Sequence, residues 1–221
     1  DVGNEAAPGV LDHHQADSNC SAASLVLAHP AWIPRDAGIE VVVHVEPDLD
    51  ACSATLLTIE HLEGRLAQPG PRLEACHRLA EFATSVDRGH VMIDPDQPAS
   101  SPCALLSCIR TVLLANEFSS LEALDRVALE RSVLLLHALL ERLTRAPIPP
   151  LASAFAGPEG GREEVPPGFE AEARAAREDF AKFEHDLART TAAEFWVPAT
   201  DPGVAPRRQR CAIVTAPRSS L

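Results

Sequence analysis

Five residues, Ile39-Glu-Val-Val-Val43, constrain this chain more than any other stretch. A near-continuous β-branched run of that length reads as a strand buried on both faces, as in a parallel sheet. It stops at His44-Val-Glu-Pro-Asp48-Leu-Asp50, and a helix is expected from Ala51 to about Leu66, with Leu56, Leu57, Ile59 and Leu62 inward. Pro69-Gly70-Pro71 breaks that helix. Upstream, Val10-Leu11 is a short apolar step. A helix over Ser21 to Ala28 follows, capped by Ser18 or Asn19 and stopped by Pro30. Strand, helix, strand, helix in that order predicts an α/β fold with a parallel sheet flanked by helices.

The rest reads as a helical block and a small α+β C-terminal part. Helices are expected over Leu73 to Val86, Cys103 to Ala115 and Ser119 to Arg145, the last opened by a Ser119-Ser-Leu-Glu122 capping box. Residues 147–168 hold six prolines and four glycines and read as a linker or long surface loop. A polar helix over Phe169 to Ala193 and two short strands, Glu194 to Val197 and Cys211 to Val214, close the chain. The expected organisation is therefore 1–146 as the α/β domain with its helical extension, 147–168 as linker, and 169–221 as an incomplete α+β segment. No methionine precedes Asp1, and two strands are too few to bury both sheet faces. The chain is accordingly expected to be a fragment, with a further apolar strand before Asp1.

Composition removes several functions. A net charge of 19 − 32 = −13 leaves no broad basic surface for long nucleic acid. Aromatics at 4%, with no tyrosine, supply no stacking platform and leave the core to aliphatic residues. No apolar run approaches the roughly 18 residues of a membrane span. The longest, Ser132 to Leu140, contains His137 and is flanked by charges. Six cysteines without a CxxC pair read as reduced thiols in a cytoplasmic protein.

Two segments carry chemistry: Leu11-Asp12-His13-His14-Gln15 and His44-Val-Glu-Pro-Asp48-Leu-Asp50. Each sets imidazoles and carboxylates where an apolar strand ends, the edge at which α/β sheets bind ligands. Carboxylates with imidazoles suit Mn2+, Mg2+ or Fe2+ better than a structural zinc. Several aspartates in one pocket would repel each other without a cation. The plainer reading has Asp48 and Asp50 capping the helix that starts at Ala51. Cys20 and Cys52 lie near the two segments and read as small core residues rather than ligands. No phosphate loop, GxGxxG or GxSxG motif is present.

Leu-Asp12-His13-His14 resembles the motif that names the DHH phosphoesterase superfamily, and His44-x-x-Pro-Asp48-x-Asp50-Ala51 resembles its first motif. Asp1-Val-Gly and Asp87-Arg-Gly89 are similar to its second and fourth. The likeness covers about residues 1 to 90. It implies a two-metal phosphohydrolase using two Mn2+ or Mg2+ ions, with Asp1, His13, His44, Asp48, Asp50 and Asp87 as metal ligands. It also implies His14 against the scissile phosphate and Asp12 supporting the histidines. Two features depart from the family: the His-x-x-Pro-Asp motif follows Asp-His-His, and Ala51-Cys52-Ser53 lacks a glycine before the serine. The sheet is then permuted, or a first motif precedes Asp1.

The expected function is hydrolysis of a phosphodiester or phosphoanhydride in a small phosphate compound or short oligonucleotide, with Arg35, Arg88 and Arg110 as unranked phosphate contacts. The alternative is a non-catalytic module of the same type that binds a nucleotide or a protein partner. No membrane partner is expected, and the oligomeric state is left open.

Overall fold

Helices predominate among the described residues: α1 (Ala22–Ala28), α2 (Leu49–Leu62), α3 (Pro71–Asp87), α4 (Pro102–Leu113), α5 (Leu121–Arg145) and α6 (Glu170–Ala188). The computed structural model describes residues 6–12, 20–35, 39–44, 48–145, 151–157, 163–197 and 207–213. The chain divides into two compact units, Asp1–Ala175 and Ala176–Leu221.

In the first unit α2 is the central element, packed by α1, α3 and α5, while α4 packs on α5. Its burial follows from composition. Leu56 and Leu57 are fully buried with the small residues Ala51, Cys52 and Ser53, which let neighbouring helices approach closely. Burial on nearly every side leaves α2's polar groups needing partners. Thr55 donates its hydroxyl to the Ala51 carbonyl at 2.8 Å. Glu60, fully buried, accepts paired bonds from Arg65 (both 2.8 Å) and from Arg72 (2.8 and 2.7 Å). Burial alone would raise the Glu60 carboxyl, but hydrogen bonds from Arg72 and Arg65 outweigh it and hold it at about 2. Leu79 of α3, Leu105 and Ile109 of α4, and Leu135, Leu136, Leu139 and Leu140 of α5 complete an aliphatic core.

Among the described residues the expected parallel sheet is not found. The strands that the structure describes form two antiparallel pairs. In the first unit β1 (Ala6–Ala7) pairs with β2 (Val10–Leu11), with Ala7 opposite Val10. The chain reverses through Pro8 and Gly9, and the positive φ of 83° at Gly9 is a conformation few side-chain-bearing residues adopt. The Gly9 N–H donates to the Trp32 carbonyl at 3.0 Å. Ile39–Val43, expected as the central strand, is not assigned as a strand. Val41 and Val42 are 40% and 65% exposed, so this run is not sandwiched between helical layers. β-propensity without a ladder partner does not make a strand. The helices pack on one another instead.

The helical expectations hold with shifted ends. The cap of α1 is Ser21, whose hydroxyl accepts from the Ser24 N–H at 3.2 Å. At the start of α5 it is Ser120, not Ser119, that accepts from the Ala123 N–H, at 3.1 Å. Within the stretch read as a linker, Phe155 is buried, its N–H donates to the Ser100 carbonyl at 2.9 Å, and its carbonyl accepts from Glu164 at 2.8 Å. Arg131 of α5 reaches both oxygens of the buried Glu172 at the start of α6, and its guanidinium lies 4.5 Å from the Phe169 ring centre.

In the second unit, the remainder of α6 precedes a hairpin of β3 (Thr191–Val197) and β4 (Arg207–Ile213), paired from Thr191 opposite Ile213 to Val197 opposite Arg207. The two short strands expected there are longer than the sequence pattern indicated.

Candidate functional site

The site is built where α2 begins. Asp48 adopts extended backbone and its carboxylate accepts from the Ala51 N–H at 2.9 Å, which makes it the N-cap of α2. His44, half-buried, brings Nε2 to 3.8 Å from that same Asp48 oxygen. Two residues into the helix, Asp50 is fully buried and faces the start of α1. Its two carboxylate oxygens accept from the Ala22 N–H at 2.6 Å and the Ala23 N–H at 2.9 Å. The first N–H groups of a helix have no partner within it. Here Asp50 supplies two acceptors, and Ser21 supplies the third for Ser24. A small cavity of about 140 Å³ is lined by Leu11, Ala22 and Ala51. The end of β2, the first residue of α1 and the start of α2 therefore meet at one place.

Each residue singled out in the sequence has its position. Asp12 follows β2 directly and is buried. His44, Asp48 and Asp50 lie at the head of α2. Asp87 is the last residue of α3 and is exposed, while its neighbour Val86 lines a cleft shared with Asp48. Asp1, His13 and His14 lie outside the described residues. Among the described residues no three of the His, Cys, Asp and Glu side chains gather as a metal site would require. The capping alternative holds for Asp48 on its own helix. Asp50 also caps, but on α1.

That cleft measures about 350 Å³ and is lined by Asp48, Ser107, Arg110, Asp125 and Ser132, with apolar walls including Val86 and Ile109. Arg110 donates from Nε to Asp125 at 3.0 Å, an ion pair that fixes the guanidinium at the cleft wall. Of the three arginines raised as phosphate contacts, Arg110 is the one that lines a cleft with Asp48. Arg35 lines a different cleft, and Arg88 is the exposed cap at the end of α3. Asp125, Ser107 and Ser132 were not visible as site neighbours. They come from α4 and α5, and no motif links them to the segment at residues 44–50.

Cys52 sits below the same corner. Burial first, then the charges of Asp48 and Asp50, push its thiol up to about 12 against an opposing hydrogen bond from Ser132. A thiol held there by burial is protonated at neutral pH in the metal-free protein. Asp12, His44 and Asp48 carry carboxylate oxygen and imidazole nitrogen, the chemistry that a hard divalent cation prefers.

Comparison with protein-family models, with curated proteins and with solved structures gives no match. Among the described residues, no helix is long and apolar enough to cross a membrane.

Proposed function

We propose that the chain is a metal-dependent phosphoesterase of the DHH type, acting on a small phosphate compound at the head of α2. One observation carries the reading: Asp50 ties the start of α2 to the start of α1, and Leu11 at the end of β2 lines one small cavity with Ala22 and Ala51. On this reading the two stretches that resemble one family's motifs would meet at that corner.

His44 and Asp48, with His13, would hold divalent cations, Mn2+ or Mg2+. When bound, such ions supply Lewis acidity toward phosphate oxygens and an acidified water. Asp12, buried at the end of β2, would orient the adjacent histidines, as carboxylates behind metal ligands commonly do. Arg110, held by Asp125 on the cleft wall, would face the non-reacting phosphate oxygens. A cleft of about 350 Å³ suits a small substrate and has no room for a duplex. The net charge of −13 favours the same choice.

The non-catalytic alternative rests on one specific fact. Both oxygens of Asp50, a ligand in the family pattern, already accept backbone N–H groups. Hydrolysis of bis(p-nitrophenyl) phosphate and of inorganic pyrophosphate separates the readings. An enzyme turns one of them over with Mn2+ and stops in EDTA. Asp48→Asn keeps the helix cap but loses the charge. It should lower turnover by roughly two orders of magnitude. Absence of hydrolysis together with tight nucleotide binding would favour the binding module.

A further inference from the structure

The opposite end of α2 carries a second, unrelated cleft. It measures about 650 Å³ and is lined by the last turns of α1 and α2, the chain after α1, and the first half of α3. His61 in its wall and Asp48 are thirteen residues apart on one helix, roughly 20 Å along the axis at 1.5 Å per residue, so the two clefts are separate sites.

Three features distinguish it. Its lining is mixed: Val26, Leu27, Leu66 and Leu73 supply an apolar wall, beside a comparable share of polar surface. Its titratable lining residues are Arg35, His61 and His77, with no aspartate or glutamate among the described lining residues, in a chain that holds 32 acids and 19 bases. Among the described residues Arg35 also has no carboxylate partner. Arg65, Arg72, Arg110, Arg131 and Arg142 each pair with a carboxylate. Arg35 donates from Nε to the imidazole Nε2 of His61, at 3.4 Å. That bond needs an unprotonated Nε2, and burial together with the Arg35 charge lowers the His61 pKa accordingly. The imidazole fixes the guanidinium without neutralising it. An exposed guanidinium with no carboxylate partner among the described residues, in a cleft that also has an apolar wall, is an arrangement that selects an amphiphilic anion.

We propose that this cleft binds a small organic anion, an apolar body carrying one carboxylate or phosphate, with Arg35 on the anionic group and the Val26, Leu27, Leu66 and Leu73 walls on the body. Arg35 uses one of its five donors on His61 and presents the others to the ligand. His77, exposed on α3, borders the same opening. The site is independent of the phosphoesterase reading and stands if that reading fails.

Calorimetric titration of the full chain with benzoate, phenyl phosphate, benzyl alcohol and inorganic phosphate tests it, with the imidazole proton resonances of His61 and His77 followed in parallel. At least one of the two aromatic anions should bind about tenfold or more tighter than benzyl alcohol, and shift both imidazoles. The tighter of the two identifies the anionic group. Inorganic phosphate, lacking a body, should bind more weakly than either. Arg35→Ala should weaken the aromatic anion about tenfold or more, and Arg35→Lys by less. Equal binding of benzyl alcohol, or no binding of either aromatic anion, overturns the proposal. A purely structural Arg35, offsetting the carbonyl ends of α1 and α2, would lower the melting temperature on Arg35→Ala and leave affinity unchanged. That outcome overturns it too.

Discussion

Replacing Asp50 with alanine should cost this chain more stability than any other single change at the candidate site. The side chain is fully buried and its two oxygens hold the first two N–H groups of α1. Hydrogen bonds to a charged group contribute about 1.5–3 kcal/mol each, and an orphaned buried N–H costs about 1–3 kcal/mol. Losing a helix cap alone costs about 0.5–2 kcal/mol. These contributions overlap, so we expect a loss of about 3 kcal/mol for Asp50→Ala. For a domain of 150–250 residues each kcal/mol moves the melting temperature by roughly 2–4 °C, giving a drop of roughly 6–12 °C. Asp50→Asn keeps one acceptor and sets an amide N–H against a backbone N–H. It should cost about half as much. Ser21→Ala, which removes only the local cap bond to Ser24, should cost about 1 kcal/mol. The assay is thermal unfolding by circular dichroism in EDTA, so that no metal-ligand role enters. A melting temperature for Asp50→Ala within about 2 °C of the wild type would refute the reasoning. It would also show that Asp50 does not tie the start of α2 to the start of α1.

Acid should act through Glu60: its folded carboxyl lies near 2 against an ordinary 4.5, so its stabilisation is full above about 4.5 and fades as pH falls towards 2. The stability gap between wild type and Glu60→Gln should narrow over that window, and urea midpoints that run parallel through it would contradict this. Arg131→Ala leaves Glu172 buried without its guanidinium and removes the contact over Phe169, so a loss of about 3–5 kcal/mol is expected, read as a lower urea midpoint at unchanged slope. A loss under about 1 kcal/mol would show that α6 is held by other contacts. The Cys52 and Cys76 thiols, both raised to about 12 chiefly by burial, should resist a disulfide reagent at pH 8 until the chain unfolds. Rapid labelling of either in the folded protein would contradict their burial.

Helices were legible because their signals are local. The spacing of leucines, the breakers around Gly70 and the serines before Leu121 each act within a few residues. The sheet was not legible, because a strand needs a partner that the local run does not specify. Ile39–Val43 has the composition of a buried strand, yet Val42 is mostly exposed. The sequence also marked Asp48 and Asp50 as alternatives, ligand or cap. It could show Asp48's role, since the N–H it accepts is three residues away. It could not show that Asp50 serves a helix 28 residues upstream. Arg110 was visible as a candidate. Its place beside Asp48 depends on how α4 and α5 pack, which no spacing encodes.

The central claim is that Asp12-His13-His14 and His44–Asp48 together hold divalent cations. Anomalous diffraction at the manganese edge, from crystals of the full chain soaked in Mn2+, tests it most directly. We expect two peaks some 3.5–4 Å apart, with His44 and Asp48 ligating and His13 within coordinating distance, and loss of at least one peak in Asp48→Asn. Peaks elsewhere, or none at the head of α2 at saturating Mn2+, would contradict the account.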